Sequence, residues 1–287
     1  MALSPDGSRL YAAANSKLSM INTATNGILT TLPIEPYPAG LALTPDGKRA
    51  LVTNLFAVNL TVIDTVNDAV VAPIELFADR FRGGFGRIAL SPDGRSAYVA
   101  NTANQVLAIV DTAKPAADSL MMDMQPEDIA VAPNGRTMYV AGCKNFCVTG
   151  TIEVLDTASR MVTTSITVGS KPYRIALSPD GARAYTTNLG DPSVSVVDLA
   201  NSQVTASVPV PVEPTGLAVS RDGGLVFVAS QPTGTITVIS TVSNTVRAQA
   251  KVAGNVREVV VTPDGRWAYV STLDAVLAVN IQSLLGG

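Results

Sequence analysis

The sequence predicts an all-β fold: a seven-bladed β-propeller of four-stranded antiparallel blades, with residues 1–287 forming one domain. The first observation behind this is a turn tetrapeptide that recurs seven times, as Ser4-Pro5-Asp6-Gly7, Thr44-Pro45-Asp46-Gly47, Ser91-Pro92-Asp93-Gly94, Ala132-Pro133-Asn134-Gly135, Ser178-Pro179-Asp180-Gly181, Ser220-Arg221-Asp222-Gly223 and Thr262-Pro263-Asp264-Gly265. The second is the spacing from one Asp or Asn to the next, which runs 40, 47, 41, 46, 42 and 42 residues. That period accommodates four strands of about five to six residues with their turns. The third is composition: 47% of residues are hydrophobic and only 15% charged, with Val, Ala and Thr prominent, as befits a sheet protein and not a disordered chain.

Each part of the repeat has a mechanical reason. In the turn, Pro presets φ at the second position, Asp or Asn tolerates the third and bonds the backbone, and Gly takes positive φ. Strand A precedes the turn, as in Arg174-Ile175-Ala176-Leu177, and strand B follows it, as in Ala97-Tyr98-Val99-Ala100. Strand C is apolar and ends at an acidic residue, as in Thr61-Val62-Ile63-Asp64 and Val194-Ser195-Val196-Val197-Asp198. Strand D alternates more strictly, as in Val204-Thr205-Ala206-Ser207-Val208, and suits an outer strand with one wet face. The large residue recurring in strand B (Tyr11, Leu51, Tyr98, Tyr139, Tyr185, Phe227, Tyr269) is read as packing between neighbouring blades. The Asp-Thr pairs closing strand C are read as turn acceptors beside free backbone amides.

The tetrapeptides Leu51-Val52-Thr53-Asn54, Tyr98-Val99-Ala100-Asn101 and Tyr185-Thr186-Thr187-Asn188 resemble the namesake motif of the YVTN family of β-propeller repeat proteins. The likeness covers essentially the whole chain, with departures where the Asn becomes Gly142, Ser230 and Thr272. It implies the propeller architecture and an exported bacterial or archaeal protein of the periplasm or cell surface. It says little about activity, because propellers host many unrelated functions.

The last unit supplies strands A to C, ending at Ala278-Val279-Asn280, and the chain stops at Gly287 where a fourth strand would begin. The first unit opens late in its strand A, directly after Met1. The expectation is that an upstream segment or export signal precedes this sequence and completes the blade, which otherwise stays three-stranded with an open edge.

Strand alternation puts the A–B and C–D turns on one face and the B–C turns and D–A connections on the other. Both repeat-length excesses fall on the second face. Asp64 to Asp93 spans 29 residues against 24 from Asp198 to Asp222, and Tyr139 to Asp156 spans 17 against 13 from Tyr185 to Asp198. The first excess contains Phe77, Arg80, Phe81, Arg82 and Phe85, residue types enriched at contact hot spots, and the second contains Cys143 and Cys147. Insertions mark where a scaffold has been adapted, so this is the candidate binding face. The residues opening strand A are expected to ring the channel mouth there: Arg87, Glu127, Asp128, Tyr173, Arg174, Arg257 and Glu258. Such a ring could hold a small anionic or zwitterionic ligand or a partner's loop. The plainer alternative is that Arg and acid simply pair between neighbouring strands.

Cys143 and Cys147 are the only cysteines. A loop-pinning disulfide is the leading expectation, with an idle reduced pair as the alternative and a redox-active pair behind both. Two cysteines without histidine make a poor zinc site, and neither a metal nor a cofactor is expected. The chain has no histidine at all, which removes Ser-His-Asp and Cys-His catalysis and His-ligated metals. Lys and Arg are scattered along a chain of net charge −3, so nucleic-acid binding is disfavoured. No apolar run approaches the roughly 18 residues needed for a membrane span. The leading functional expectation is a non-catalytic binding or scaffold propeller that presents the insertion-bearing face to a protein, glycan or small anionic ligand. The alternatives are a lactonase-like hydrolase or lyase using Glu127, Asp128 and Arg, and a nucleic-acid binder.

Overall fold

A computed structural model of the chain describes residues 1–76, 83–114, 116–144, 147–252 and 254–286. Its strands form seven antiparallel sheets, six of four strands and the last of three. The fold is a seven-bladed β-propeller. The chain divides into two compact units, Met1–Arg136 and Thr137–Gly287.

The first unit holds blade 1 (Ala2–Leu3, Arg9–Ala14, Lys17–Asn22, Ile28–Pro33), blade 2 (Pro38–Leu43, Arg49–Asn54, Asn59–Asp64, Ala69–Glu75), blade 3 (Phe85–Leu90, Ser96–Asn101, Val106–Asp111, Ala116–Met121) and the opening strand of blade 4, Gln125–Val131. The second holds the other strands of blade 4 (Thr137–Lys144, Thr149–Asp156, Val162–Val168), blade 5 (Pro172–Leu177, Arg183–Asn188, Ser193–Asp198, Gln203–Pro209), blade 6 (Pro214–Val219, Leu225–Ser230, Thr235–Ser240, Thr245–Lys251) and blade 7 (Glu258–Val261, Trp267–Ser271, Val276–Asn280). In place of a fourth strand, blade 7 is followed by a helical turn, Ile281–Leu284, capped by Asn280, whose side chain accepts from the Ser283 amide. Ile281 and Leu284 pack against Phe227, Ala268 and Val270 of blades 6 and 7, so apolar burial and not strand pairing covers that stretch.

Local chemistry explains why the turn recurs. Ser4 Oγ donates to Asp6 Oδ1 at 2.6 Å and accepts the Arg9 amide at 2.9 Å, while Asp6 Oδ1 also accepts the Ser8 amide at 3.0 Å. Gly7 sits at φ 73° and returns its amide to the Ser4 carbonyl at 2.8 Å. The hydroxyl and carboxylate together close a hairpin that a bare type I turn would leave open. The same bonds recur at Thr44 and Asp46, Ser91 and Asp93, Ser178 and Asp180, Ser220 and Asp222, and Thr262 and Asp264. Because these carboxylates accept hydroxyl and amide protons, all six are held below the usual range, Asp6 at about 2. The residue after strand C completes the circuit: the hydroxyls of Thr23, Thr112 and Thr241 donate to the carbonyls of Gly7, Gly94 and Gly223 at 2.6–2.7 Å. The acid before it accepts the amides that follow, as Asp64 does from Val66 and Asn67. These Asp-Thr pairs are structural acceptors and donors.

Blades are joined by burial. Tyr11 packs on Ala50 and Val52 of blade 2, Leu51 on Ala97 and Val99 of blade 3, Tyr185 on Val226 and Val228 of blade 6, and Phe227 on Ala268 and Val270 of blade 7. Each of these large side chains is 0–1% exposed, and burying one is worth about 1.5–3 kcal/mol. Arginines opening strand B add ties between blades: Arg49 donates to the Thr112 carbonyl at 3.0 Å and Arg183 to the Thr241 carbonyl at 2.6 Å. Among the described residues, no helix is long and apolar enough to cross a membrane.

Candidate binding face

The residues at the start of strand A are placed by the same corner in every blade, yet the repeat puts a glycine at this point in blades 2 and 6. In the first unit a side chain at Gly40 would meet the Gly86 carbonyl at 2.6 Å and Thr53 Oγ1 at 2.8 Å, so only glycine fits. Thr53 bridges this approach, accepting from the Gly40 amide at 2.7 Å and donating to the Gly86 carbonyl at 2.5 Å. Over the gap lies Arg87, one residue beyond Gly86, whose Nη1 donates to the Ala39 carbonyl at 3.1 Å. In the second unit, a side chain at Gly216 would meet Ala229 Cβ at 2.8 Å and the Arg257 carbonyl at 3.0 Å. Arg174 reaches across it: Nε donates to the Thr215 carbonyl at 3.1 Å, and Nη2 pairs with Glu258 Oε1. Both side chains of that ion pair are largely buried, 14% and 19% exposed. The guanidinium also lies 6.0 Å from the Tyr173 ring centroid, at the outer limit of a cation–π contact.

In each unit, then, an arginine caps the carbonyl ahead of a glycine. Arg174 and Glu258 are brought together as an internally satisfied pair. Arg257 is exposed, and its guanidinium has no ion pair or hydrogen bond among the described residues. Asp128 is buried and bonds the Ile129 amide at 2.9 Å. Glu127, next to it, is pushed up to about 7, chiefly by burial and then by the Asp128 charge, with Arg87 partly offsetting both. Phe81 and Arg82 lie outside the described residues.

Two features were not anticipated from the sequence. Tyr37 and Phe56 form an edge-to-face pair with ring centroids 5.1 Å apart, yet stand 63% and 72% exposed, with Leu55 beside them at 41%. Tyr37 belongs to the D–A connection and Phe56 to the B–C turn of blade 2, so strand alternation places both on the insertion-bearing face. The end of the longer insertion abuts them: the Gly84 amide donates to the Leu55 carbonyl at 2.7 Å. The positions are ordinary ones in the repeat, since Lys171 and Glu213 also precede a Pro, adopt φ 52° and 51° as Tyr37 adopts 59°, and accept the matching amides of Leu189 and Gln231. What is unusual is that blade 2 fills them with aromatics.

The second feature is a buried ion pair in blade 4, Lys144 Nζ to Glu153 Oε1 at 2.8 Å, with Glu153 only 2% exposed. Gly142 and Thr151 are register partners between Val140–Glu153 and Lys144–Thr149, so these side chains share one face of the sheet. In blade 5 the corresponding Asn188 amide donates to Ser193 and Ser195 at 2.9 and 3.0 Å. Where blade 4 has Gly142 in place of that Asn and Glu153 in place of Ser195, Lys144 supplies the missing donor. The departure from the repeat motif at Gly142 was the available signal. The disulfide expected between Cys143 and Cys147 is present, with Cα atoms 4.6 Å apart, immediately beside Lys144.

No family model matches the chain, and no curated protein matches it in sequence. Among solved structures it is similar to Kuenenia stuttgartiensis hydrazine synthase, at a TM-score of 0.87 and 18% identity over 97% of this chain and 94% of that one. At that identity the likeness shows a shared β-propeller fold and nothing finer.

Proposed function

We propose that this chain is a non-catalytic binding propeller that presents the face carrying the B–C turns and D–A connections to a protein partner, with Tyr37, Phe56 and Leu55 at the centre of the contact. The observation that carries this reading is the exposed aromatic pair. Aromatic side chains left in water at the corner of an insertion supply a large contact area at low conformational cost, which is why they dominate binding hot spots. The satisfied state of Arg174 and Glu258 argues against that pair as a free anion-binding group, leaving Arg257 as a rim charge. An exported location, in the periplasm or at the cell surface, fits the bonded Cys143–Cys147 pair, since such compartments keep cysteines oxidised.

The test is affinity capture from an envelope fraction with three forms of the domain: wild type, Tyr37→Ala/Phe56→Ala, and Arg87→Ala/Arg174→Ala/Arg257→Ala, each checked for folding by circular dichroism. A protein retained by the wild type and the arginine variant and lost by the aromatic variant is the expected result. Loss with the arginine variant alone would move the contact to the charged residues and overturn the assignment. One observation favours a second reading, a hydrolase or lyase: Glu127 holds its proton to about 7, the range in which a carboxyl can act as general acid. Under that reading Glu127→Gln abolishes turnover of an activated lactone or ester, whereas the binding reading leaves both forms equally inactive.

A further inference from the structure

We infer that a groove between the chain leaving blade 1 and the outer strand of blade 2 binds an extended peptide segment that places an apolar side chain next to a lysine or arginine. It is separate from the aromatic corner and does not rest on it. The groove encloses about 340 Å³, at the low end of the range of roughly 300–1,000 Å³ typical of ligand sites, a size for one or two side chains. Its apolar floor comes from Ile34, Val70 and Val71. The two valines belong to an edge strand and stand 46% and 40% exposed. An edge strand offers unpaired backbone groups to an added chain, and alternate side chains of that chain then reach the adjoining pocket.

The irregularity that opens the groove is particular to blade 2. In blades 1, 4, 5 and 6 the C–D ladder shifts register between the second- and third-last residues of strand C: Met20/Ile21, Val154/Leu155, Val196/Val197 and Val238/Ile239. In blade 2 the shift moves two residues earlier, between Leu60 and Val62, so that Ala72 and Pro73 stand opposite Thr61 alone. Pro73 has no N–H to give the ladder, which is the physical reason for a bulge at that point.

The chemistry of the rim selects the occupant. Pro33, Pro36 and Pro73 line the groove and contribute carbonyls without amide donors. Glu35 lines it as well, and Glu75 closes the end of the strand opposite Asn59. Both acids are exposed, and neither has an ion pair or hydrogen bond among the described residues. Asn59 and Thr61 add side chains that can donate or accept, so the excess of acceptors and the two negative charges beside an apolar floor favour a donor-rich cationic side chain next to an aliphatic one.

The experiment pans a displayed library of random heptapeptides on the intact chain and measures selected peptides by fluorescence polarisation. Expected is enrichment of Lys or Arg within two residues of Val, Ile or Leu, and binding weakened about tenfold or more in Val71→Arg/Glu35→Lys, which alters exposed positions only. Glu35→Gln/Glu75→Gln should weaken binding by about two- to fivefold per carboxylate, an effect that fades at roughly 0.5 M salt. Tyr37→Ala/Phe56→Ala should bind as the wild type does. The inference fails if no peptide is enriched, if enriched peptides lack basic residues, or if binding survives the Val71→Arg/Glu35→Lys change. Loss with the aromatic variant instead would place the peptides on the corner and not in the groove. A thermal melt of each variant separates loss of binding from loss of fold.

Discussion

Replacing Glu127 by Gln should stabilise the protein at neutral and alkaline pH while leaving its stability below about pH 4.5 nearly unchanged. Glu127 is raised from its ordinary value of 4.5 to about 7, first by burial and second by the charge of Asp128, with Arg87 opposing both. At about 1.36 kcal/mol per pKa unit this amounts to roughly 3 kcal/mol between the protonation states. Glu127 is only partly buried, so solvent screening brings the expected effect to about 1–2 kcal/mol. Below 4.5 the carboxyl is protonated in both folded and unfolded chains and carries no penalty. Between 4.5 and about 7 the unfolded chain releases its proton while the folded chain keeps it, so stability falls across that window and levels off above it. The glutamine variant has no proton to release. Urea unfolding of both forms at intervals from about pH 4 to pH 8.5 should show their difference growing by about 1–2 kcal/mol in favour of the variant, with most of the change below pH 7.5. Titrating groups that do not interact with Glu127 are common to both forms and cancel. A difference that stays flat, or shrinks as pH rises, would refute the placement of Glu127 as a buried carboxyl beside Asp128.

Three further outcomes follow from the packing. Thr186 is 0% exposed and its hydroxyl has no partner among the described residues, whereas the repeat places Val52, Val99, Val140, Val228 and Val270 at the same point; Thr186→Val should stabilise by about 1 kcal/mol, read as an increase of about 2 °C or more in the melting midpoint. Lys144→Met should cost about 3 kcal/mol in urea unfolding because it strands the enclosed Glu153 carboxylate, and adding Glu153→Ser should recover much of the loss. Gly40→Ala should destabilise by about 1–3 kcal/mol, since its Cβ would stand 2.6 Å from the Gly86 carbonyl, and calorimetry on the purified variant reads this directly.

The features that sequence reading reached are those whose chemistry is local. Ser4, Asp6 and Gly7 lie within four residues, and every bond that makes their turn recur is made inside that span or to the next two residues. Tyr185 and Phe227 could be assigned to packing because a large side chain inside an apolar strand has few other uses. The pairing of Arg174 with Glu258 lies 84 positions away along the chain and depends on the missing side chain of Gly216, a gap visible only once the corners are superposed. Pairing between Arg and acid was the plainer of the two sequence readings for these residues, but neither partner nor geometry could be named from it. The Lys144–Glu153 pair had a signal in two simultaneous departures from the repeat, Gly142 and Glu153. It went unread because an isolated Glu in a strand looks like a solvated face until its burial is known. Tyr37 and Phe56 were passed over because each alone is an unremarkable loop aromatic; the edge-to-face contact exists only because the D–A and B–C corners of blade 2 meet.

The geometry of these corners supports the proposed binding role of Tyr37 and Phe56 over a catalytic one at the same positions. The residue before the Pro must take a left-handed φ in blades 2, 5 and 6, at 59°, 52° and 51°, a conformation that costs a non-glycine residue about 1–2 kcal/mol. The fold bears that cost whatever side chain is present, because the carbonyl there accepts the amide that closes the B–C corner. The side chain is thereby left exposed on a hydrogen-bonded corner, so its identity can vary without disturbing the blade: Tyr, Lys and Glu all occur. A catalytic group would need neighbours at fixed distances to tune it, which an outward position of this kind does not supply. A contact residue needs only to be exposed and preorganised, and the Tyr37–Phe56 pair is both.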